Sequence, residues 1–147
     1  MQENDHNSPN DNQIISDLIR EVKEVRKNAH APYSKFYVGA ALYCRPKNDP
    51  EGKKIIITGC NVENASFGLT NCAERVALAR MVAMGCTDPE YIVIFADTDE
   101  YIAPCGACRQ VIFELAPNAK VLLLNNKEEF LTKTVAEILP FAFSLNS

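Results

Sequence analysis

Apolar residues along this chain follow two different periods. From residue 14 to residue 25, Ile14, Ile15, Leu18, Ile19, Val22 and Val25 recur at three- and four-residue spacing. That spacing predicts an amphipathic helix, with Asp11 or Asn12 as its cap. The pattern then changes. "FYVGAALYC" and "KKIIITGCNV" are short runs rich in β-branched and aromatic residues, separated by the Pro, Asn, Asp and Gly of "RPKNDPEG". They predict two strands joined as a hairpin. "CAERVALARMVAMG" predicts a helix closed by Gly85. "EYIVIFAD" predicts a buried strand, "GACRQVIFELA" a helix stopped by Pro117, and "AKVLLLN" another buried strand. "TVAEILP" predicts a short helix with a capping box from Thr134 to Glu137.

Strands that alternate with helices late in a chain imply a partly parallel sheet covered on both faces. The expected fold is therefore α/β, three layers in the order α/β/α, around one mixed five-stranded sheet. No internal repeat or low-complexity linker interrupts the sequence. The 147 residues suit one domain with a core that needs no covalent staples. Residues 1 to 11 read as a disordered polar tail and residues 12 to 147 as a single domain.

Composition narrows the partners. Apolar residues make up 47% and charged residues 23%, the net charge is −4 and the isoelectric point about 5.2. A protein built to hold a long polyanion usually shows a basic face, so no nucleic-acid partner is expected. A small neutral or weakly charged ligand remains open. "MQENDHNSPNDNQ" lacks the apolar core of a secretory signal, and no apolar run approaches the ~18 residues of a membrane span. The expectation is a cytoplasmic protein with no membrane partner. In a reducing compartment its six cysteines would be core thiols, metal ligands or redox groups rather than disulfides.

Spacing separates those cysteines. Cys105 and Cys108 form a C-x-x-C pair, which alone fits metal ligands, a redox dithiol or chance. Cys72 is a third thiol, and like that pair it lies at a predicted helix entrance. Helix N-termini carry unpaired N–H groups and partial positive charge, which favour the thiolate that zinc binds. Three thiols at two helix starts can converge on one tetrahedral ion and leave its fourth position open, the arrangement of a catalytic zinc. A structural zinc would need a fourth ligand, with Cys44 and Cys60 as candidates. A redox dithiol would leave Cys72 idle. Cys44, Cys60 and Cys86 otherwise read as small buried hydrophobes, and His30, at the end of the first helix, as a cap or surface residue. Glu74, taken without the cysteines, is an acidic residue complementing a helix dipole.

With "NCAER" and "PCGACRQ" both placed, the sequence resembles the small single-domain cytidine deaminases. "YSKFYVGAAL", "TGCNVENASFGLT" and "ILPFAFS" follow in that family's order, so the resemblance covers roughly residues 30 to 145. It implies zinc-dependent hydrolytic deamination of cytidine and deoxycytidine, one Zn2+ per chain, a nucleoside substrate and a homotetramer. Cys72, Cys105 and Cys108 would hold the zinc. Glu74 would shuttle protons while zinc-activated water attacks C4 of the pyrimidine. Residues two apart on a regular helix do not share a face, so Cys72 must stand at the non-helical entrance for this to work. The matching positions for the ribose are Asn61 and Glu63. Phe36 and Phe143 match aromatic positions around the base, and the backbone at Ala73 its edge. Arg75 matches an arginine that donates to a ligand sulfur, and the spacing in "CGACR" extends the same role to Arg109. The chain departs from the family's pattern at Phe67, where tyrosine is common, at Phe141, where glycine is, and at Tyr37, where proline is. A relative acting on blasticidin S would share the zinc core without needing "NVEN".

Overall fold

The structure is a computed structural model that describes residues 9–145. It begins with helix α1 (Pro9–Arg26), followed by the hairpin β1 (Val38–Pro46) and β2 (Ile55–Cys60). A single 3₁₀ turn at Phe67–Leu69 leads to α2 (Ala73–Ala83), β3 (Cys86–Ala96), α3 (Gly106–Leu115), β4 (Lys120–Leu124), β5 (Phe130–Thr134) and α4 (Val135–Ile138). The five strands form one sheet in the order β2-β1-β3-β4-β5, antiparallel except for the β3–β4 pair. The mixed sheet of the sequence reading is therefore present.

Its two faces carry two cores. On one side Ile15, Leu18 and Val22 of α1 meet Ala41, Tyr91, Val93, Phe95, Leu122 and Leu124. On the other, Ala77, Leu78 and Met81 of α2 and Ile112 of α3 meet Ala40, Leu42, Ile57, Ile92, Ile94, Val121 and Leu123. Alternate residues of β1, β3 and β4 thus face opposite layers, as the pleat requires. Leu18, Val22 and Leu78 are fully buried, each stabilising the fold by about 1.5–3 kcal/mol relative to exposure.

Several expectations need correction. α1 begins at Pro9, ahead of the expected cap at Asp11 or Asn12, so residues 9 to 11 belong to the helix and not to a tail. Residues 1 to 8 lie outside the described residues. Proline suits a first helical position because its missing N–H has no helical acceptor. This polar first turn lies outside the apolar stripe, so periodicity did not reveal it. His30 does not end a helix. It stands beyond α1, exposed, in a bridge with Val62. β3 starts at Cys86 rather than near Glu90, pairing Thr87 and Cys86 with Arg45 and Pro46 past a register shift. Cys60 is half-buried, whereas Cys44 and Cys86 are buried as expected. The fifth strand, "FLTKT", was not located from sequence. It is an edge strand with much of its surface in solvent, and so lacks a buried strand's apolar run.

Candidate active site

A close approach of backbone to backbone sets the position of α2. A Cβ placed on Gly59 of β2 would lie 2.5 Å from Ala77 N and 2.7 Å from Ala73 O. Only glycine admits the helix there. Gly85 closes α2 in the left-handed conformation at φ +73, its N–H donating to Val82 O at 3.1 Å.

Cys72 is the N-cap of α2 and Cys105 the N-cap of α3, both in extended conformation at φ −70, ψ 155 and φ −65, ψ 168. Neither side chain caps its helix, so both sulfurs are free to point elsewhere. Cys108 follows three residues into α3. N-cap and N3 side chains meet on one side of a helix start, as in a capping box, and Cys105 and Cys108 use that relation. The sulfurs of Cys72, Cys105 and Cys108 all lie within 4.8 Å of one another. Among the described residues no other cysteine, histidine or carboxylate joins this cluster, which leaves Cys44 and Cys60 out as fourth ligands. Cys72 Sγ and Cys105 Sγ are 3.8 Å apart. Two thiolates on a tetrahedral zinc at ~2.3 Å must stand about 3.8 Å apart, so the spacing suits the ion. A disulfide, at ~2.05 Å, it is not. Cys72 also joins the C-x-x-C pair instead of standing apart as a dithiol would leave it.

The electrostatics agree. Two thiols this close cannot both ionise unaided. Donation from Cys108 favours the thiolate of Cys72, with Arg75 adding to it. Cys108 is pushed well above the usual thiol range, first by its bond with Cys72 and then by burial, so its proton is held tightly. A divalent cation would release the proton. Arg75, three residues past its N-cap, reaches back with Nη2 to Cys72 Sγ at 3.5 Å and to Thr70 O at 3.2 Å. Its Nε is buried with no partner among the described residues.

Glu74 occupies the first turn of α2, only 4% exposed. Burial pushes its carboxyl above the usual range, and a hydrogen bond with Cys108 opposes that rise. The carboxyl therefore stands against the cluster. Arg109 does not. Its Nε donates to Pro104 O at 2.7 Å and its Nη1 to Ile138 O at 2.9 Å, so the expected contact with sulfur is absent. The reason is register. In α2 the arginine is three residues after the N-cap cysteine. In α3 that position is Cys108 itself, and Arg109 is turned a further ~100° around the helix.

"NVEN" is tied to the cluster by backbone. Val62 and Asn71 exchange both N–H···O bonds at 2.9 Å, which sets residues 61 to 63 beside the approach to Cys72. Asn61 is buried and holds the neighbouring loop. Its Oδ1 accepts from Val38 N at 2.9 Å and its Nδ2 donates to Phe36 O at 2.7 Å. Glu63 accepts from Tyr33 N at 3.0 Å, Ser34 N at 3.1 Å and the Ser34 hydroxyl. That hydroxyl above all holds its carboxyl below the usual range, and His30 adds to the effect. Ser34 and His30 were missed as partners, since nothing in "HAPYS" marks a hydroxyl aimed thirty residues on. Phe36 is exposed, and its backbone is held by Asn61 Nδ2 and by the Ser34 hydroxyl, which accepts from Phe36 N at 3.0 Å. Phe143 is 69% exposed, and its carbonyl accepts from Gln110 Nε2 at 3.1 Å. Ala73 is fully buried as the first residue of α2. Phe67 meets Tyr33 edge-to-face at 5.8 Å, and Tyr37 lies under Arg26. Phe141 takes φ +54, the left-handed region that glycine enters freely.

Three thiols and a buried carboxyl at two helix starts, on an α/β/α frame, form a donor set that suits one zinc ion with an open position. Residues 12–124 match the profile of the cytidine and deoxycytidylate deaminase zinc-binding region. A cytidine deaminase of Halalkalibacterium halodurans is 46% identical over 86% of this chain and 92% of its own. The crystal structure of cytidine deaminase from Burkholderia pseudomallei superposes with a TM-score of 0.76 at 46% identity, covering 87% of this chain and 98% of that one. A blasticidin-S deaminase of Bacillus cereus is more distant, 31% identical over 77% of this chain and 81% of its own. The chain belongs to the cytidine and deoxycytidylate deaminase family.

Proposed function

We propose that this enzyme hydrolyses cytidine and deoxycytidine to uridine and deoxyuridine with release of ammonia. The observation that carries the reading is the buried Glu74 carboxyl set against three converging sulfurs, in a chain of the deaminase family. Cys72, Cys105 and Cys108 would hold one zinc per chain. Bound there, zinc supplies a Lewis acid that makes water a nucleophile near neutral pH. Glu74 does the proton work. Burial raises its pKa, which suits a group that must both take and give a proton. It takes one from the attacking water and passes it to ring N3, then takes the second from the new C4 hydroxyl and delivers it to the amine, which leaves as ammonia while C4 becomes a carbonyl. Arg75 draws charge from the Cys72 sulfur, which offsets the excess negative charge of three thiolates on a divalent ion.

Substrate contacts extend from the same frame. Asn61 and Glu63 hold the 33–38 loop, and their remaining lone pairs and N–H face the ribose hydroxyls. Phe36 and Phe143 border the base, and the Ala73 backbone meets its polar edge. Phe67, Leu69, Val82, Met84, Phe143 and Leu145 are all exposed in the single chain. Such surface supports assembly into a homotetramer. No helix among the described residues is long and apolar enough to cross a membrane. The role is pyrimidine salvage in the cytoplasm, by one domain that begins with α1.

The test is the ultraviolet change on cytidine, deoxycytidine, cytosine, cytidine monophosphate and blasticidin S, with zinc counted by native mass spectrometry. Turnover of both nucleosides, little of cytosine and one zinc per chain are expected. Blasticidin S turned over in preference to cytidine would replace the substrate assignment.

A further inference from the structure

Arg109 and Gln110 stand directly after Cys108 on α3, and both side chains donate to backbone carbonyls, each reaching one near the C-terminus. The Arg109 guanidinium spans two of them: Pro104 O at 2.7 Å through Nε and Ile138 O at 2.9 Å through Nη1. Pro104 precedes Cys105, and Ile138 is the last residue of α4. Gln110 Nε2 donates to Phe143 O at 3.1 Å. The stretch between these two pins contains Phe141 in its left-handed conformation.

We propose that Arg109 is a positioning residue that couples the turn bearing Cys105 to the C-terminal segment bearing Phe143, with Gln110 as the second pin. A carbonyl in the last turn of a helix has no helical N–H to accept from, so Ile138 O is open to a side-chain donor. A guanidinium is a flat, always charged fork that can hold two acceptors in fixed relation. Both partners are main-chain atoms, so the coupling does not depend on the residue types at 104 and 138. α4 has four residues, with a capping box at its start. Arg109 fixes its other end, and does so from the helix that carries Cys108. Displacement of the C-terminal segment is thereby transmitted to the Cys105 turn, and the reverse. The consequence for substrate binding rests on the function proposed above. The consequence for metal retention rests only on the cysteine cluster.

The test uses the full zinc-loaded chain with Arg109→Ala, Arg109→Lys and Gln110→Ala. Three quantities are measured: zinc release to a chelator, chymotrypsin cleavage after Phe141 or Phe143, and kcat and KM for cytidine. Arg109→Ala is expected to speed zinc release about tenfold or more, speed cleavage, and raise KM more than it lowers kcat. Lysine keeps the charge but cannot hold both carbonyls, so Arg109→Lys should reproduce these changes, and it carries the test if the alanine variant fails to fold. Gln110→Ala should speed cleavage and raise KM while leaving zinc release unchanged. Adding Arg109→Ala to Phe143→Ala should raise KM no further. Parent-like zinc release in both Arg109 variants overturns the coupling, as does full rescue by lysine or equal zinc loss in Gln110→Ala. Zinc release and cleavage are read without substrate. A parent inactive on cytidine would therefore defeat the proposed function and leave these two measurements to decide the coupling.

Discussion

The starts of α2 and α3 share one plan and differ in its details. Each opens on an N-cap cysteine in extended backbone, and each carries an arginine within four residues of it. In α2 the residue three past the cap is Arg75, which reaches the sulfur. In α3 it is a second cysteine, and the arginine is displaced by one position onto carbonyls. One residue of spacing on a helix is ~100° of rotation, and that rotation separates a group placed on a cluster sulfur from a group placed on the chain around the cluster. Similar motifs therefore need not do similar work.

The α2 start also carries the acidic residue, and removing its function sharpens the contrast most. Glu74→Gln keeps the shape and loses the proton. General acid–base steps are worth roughly 10²–10⁴-fold, so kcat on cytidine should fall by at least that range with zinc content unchanged. A glutamine enzyme within tenfold of the parent would remove Glu74 from the proton path.

The arginines provide the direct comparison. Arg75→Gln should lower kcat/KM by about 10–100-fold with zinc retained. The sulfurs would keep more of their charge, the metal would become a weaker Lewis acid, and the acid limb of the pH–rate profile would move to higher pH. Arg109→Gln should leave that limb in place, because its guanidinium touches carbonyls rather than sulfur. Equal displacement of the limb in both variants would break the distinction between the two helix starts.

The sequence was most legible where chemistry and local rules coincide. Cys72, Cys105 and Cys108 could be brought together because helix entrances are predictable from loop-to-helix transitions and thiols at them are few. The Thr134–Glu137 capping box was readable because it lies within four residues. What escaped depends on tertiary placement. β5 is an edge strand whose pairing with β4 is dictated by the sheet and not by its own apolar content. Arg109 escaped because a motif shows spacing from one cysteine while the side chain's direction is set relative to the cap. The partners of Asn61 and Glu63 on the 33–38 loop lie 23 to 30 residues away in sequence.

Packing distinguishes the two helix starts as well. α2 is seated on Gly59, where a Cβ would fall 2.5 Å from backbone. Gly106, the first residue of α3, has nothing within 4 Å of the same position. Gly59→Ala should therefore destabilise by about 1–3 kcal/mol through overpacking and displace Cys72 and Glu74 with the helix. Gly106→Ala should be neutral within ~0.5 kcal/mol, as an uncrowded surface change. Denaturant unfolding of both variants checks this, and an unaffected Gly59→Ala would show that contact with β2 does not fix the site.

The smallest effect concerns the segment latched to α3. Phe141 holds φ +54 with its side chain fully in solvent, so the single chain gives no burial in return for the strain. A left-handed residue with a Cβ costs roughly 1–2 kcal/mol. Glycine relieves that cost, but its unfolded chain is freer by ~0.5–1 kcal/mol. The difference favours glycine by about 0.5–1 kcal/mol, a rise in thermal midpoint of about 1–4 °C for a chain of this length. No change is expected in zinc release, since Arg109 and its two carbonyl partners are untouched. A lowered midpoint for Phe141→Gly would mean that the ring is buried against a second copy in the assembly, where covering a phenylalanine contributes about 1.5–3 kcal/mol and outweighs the strain.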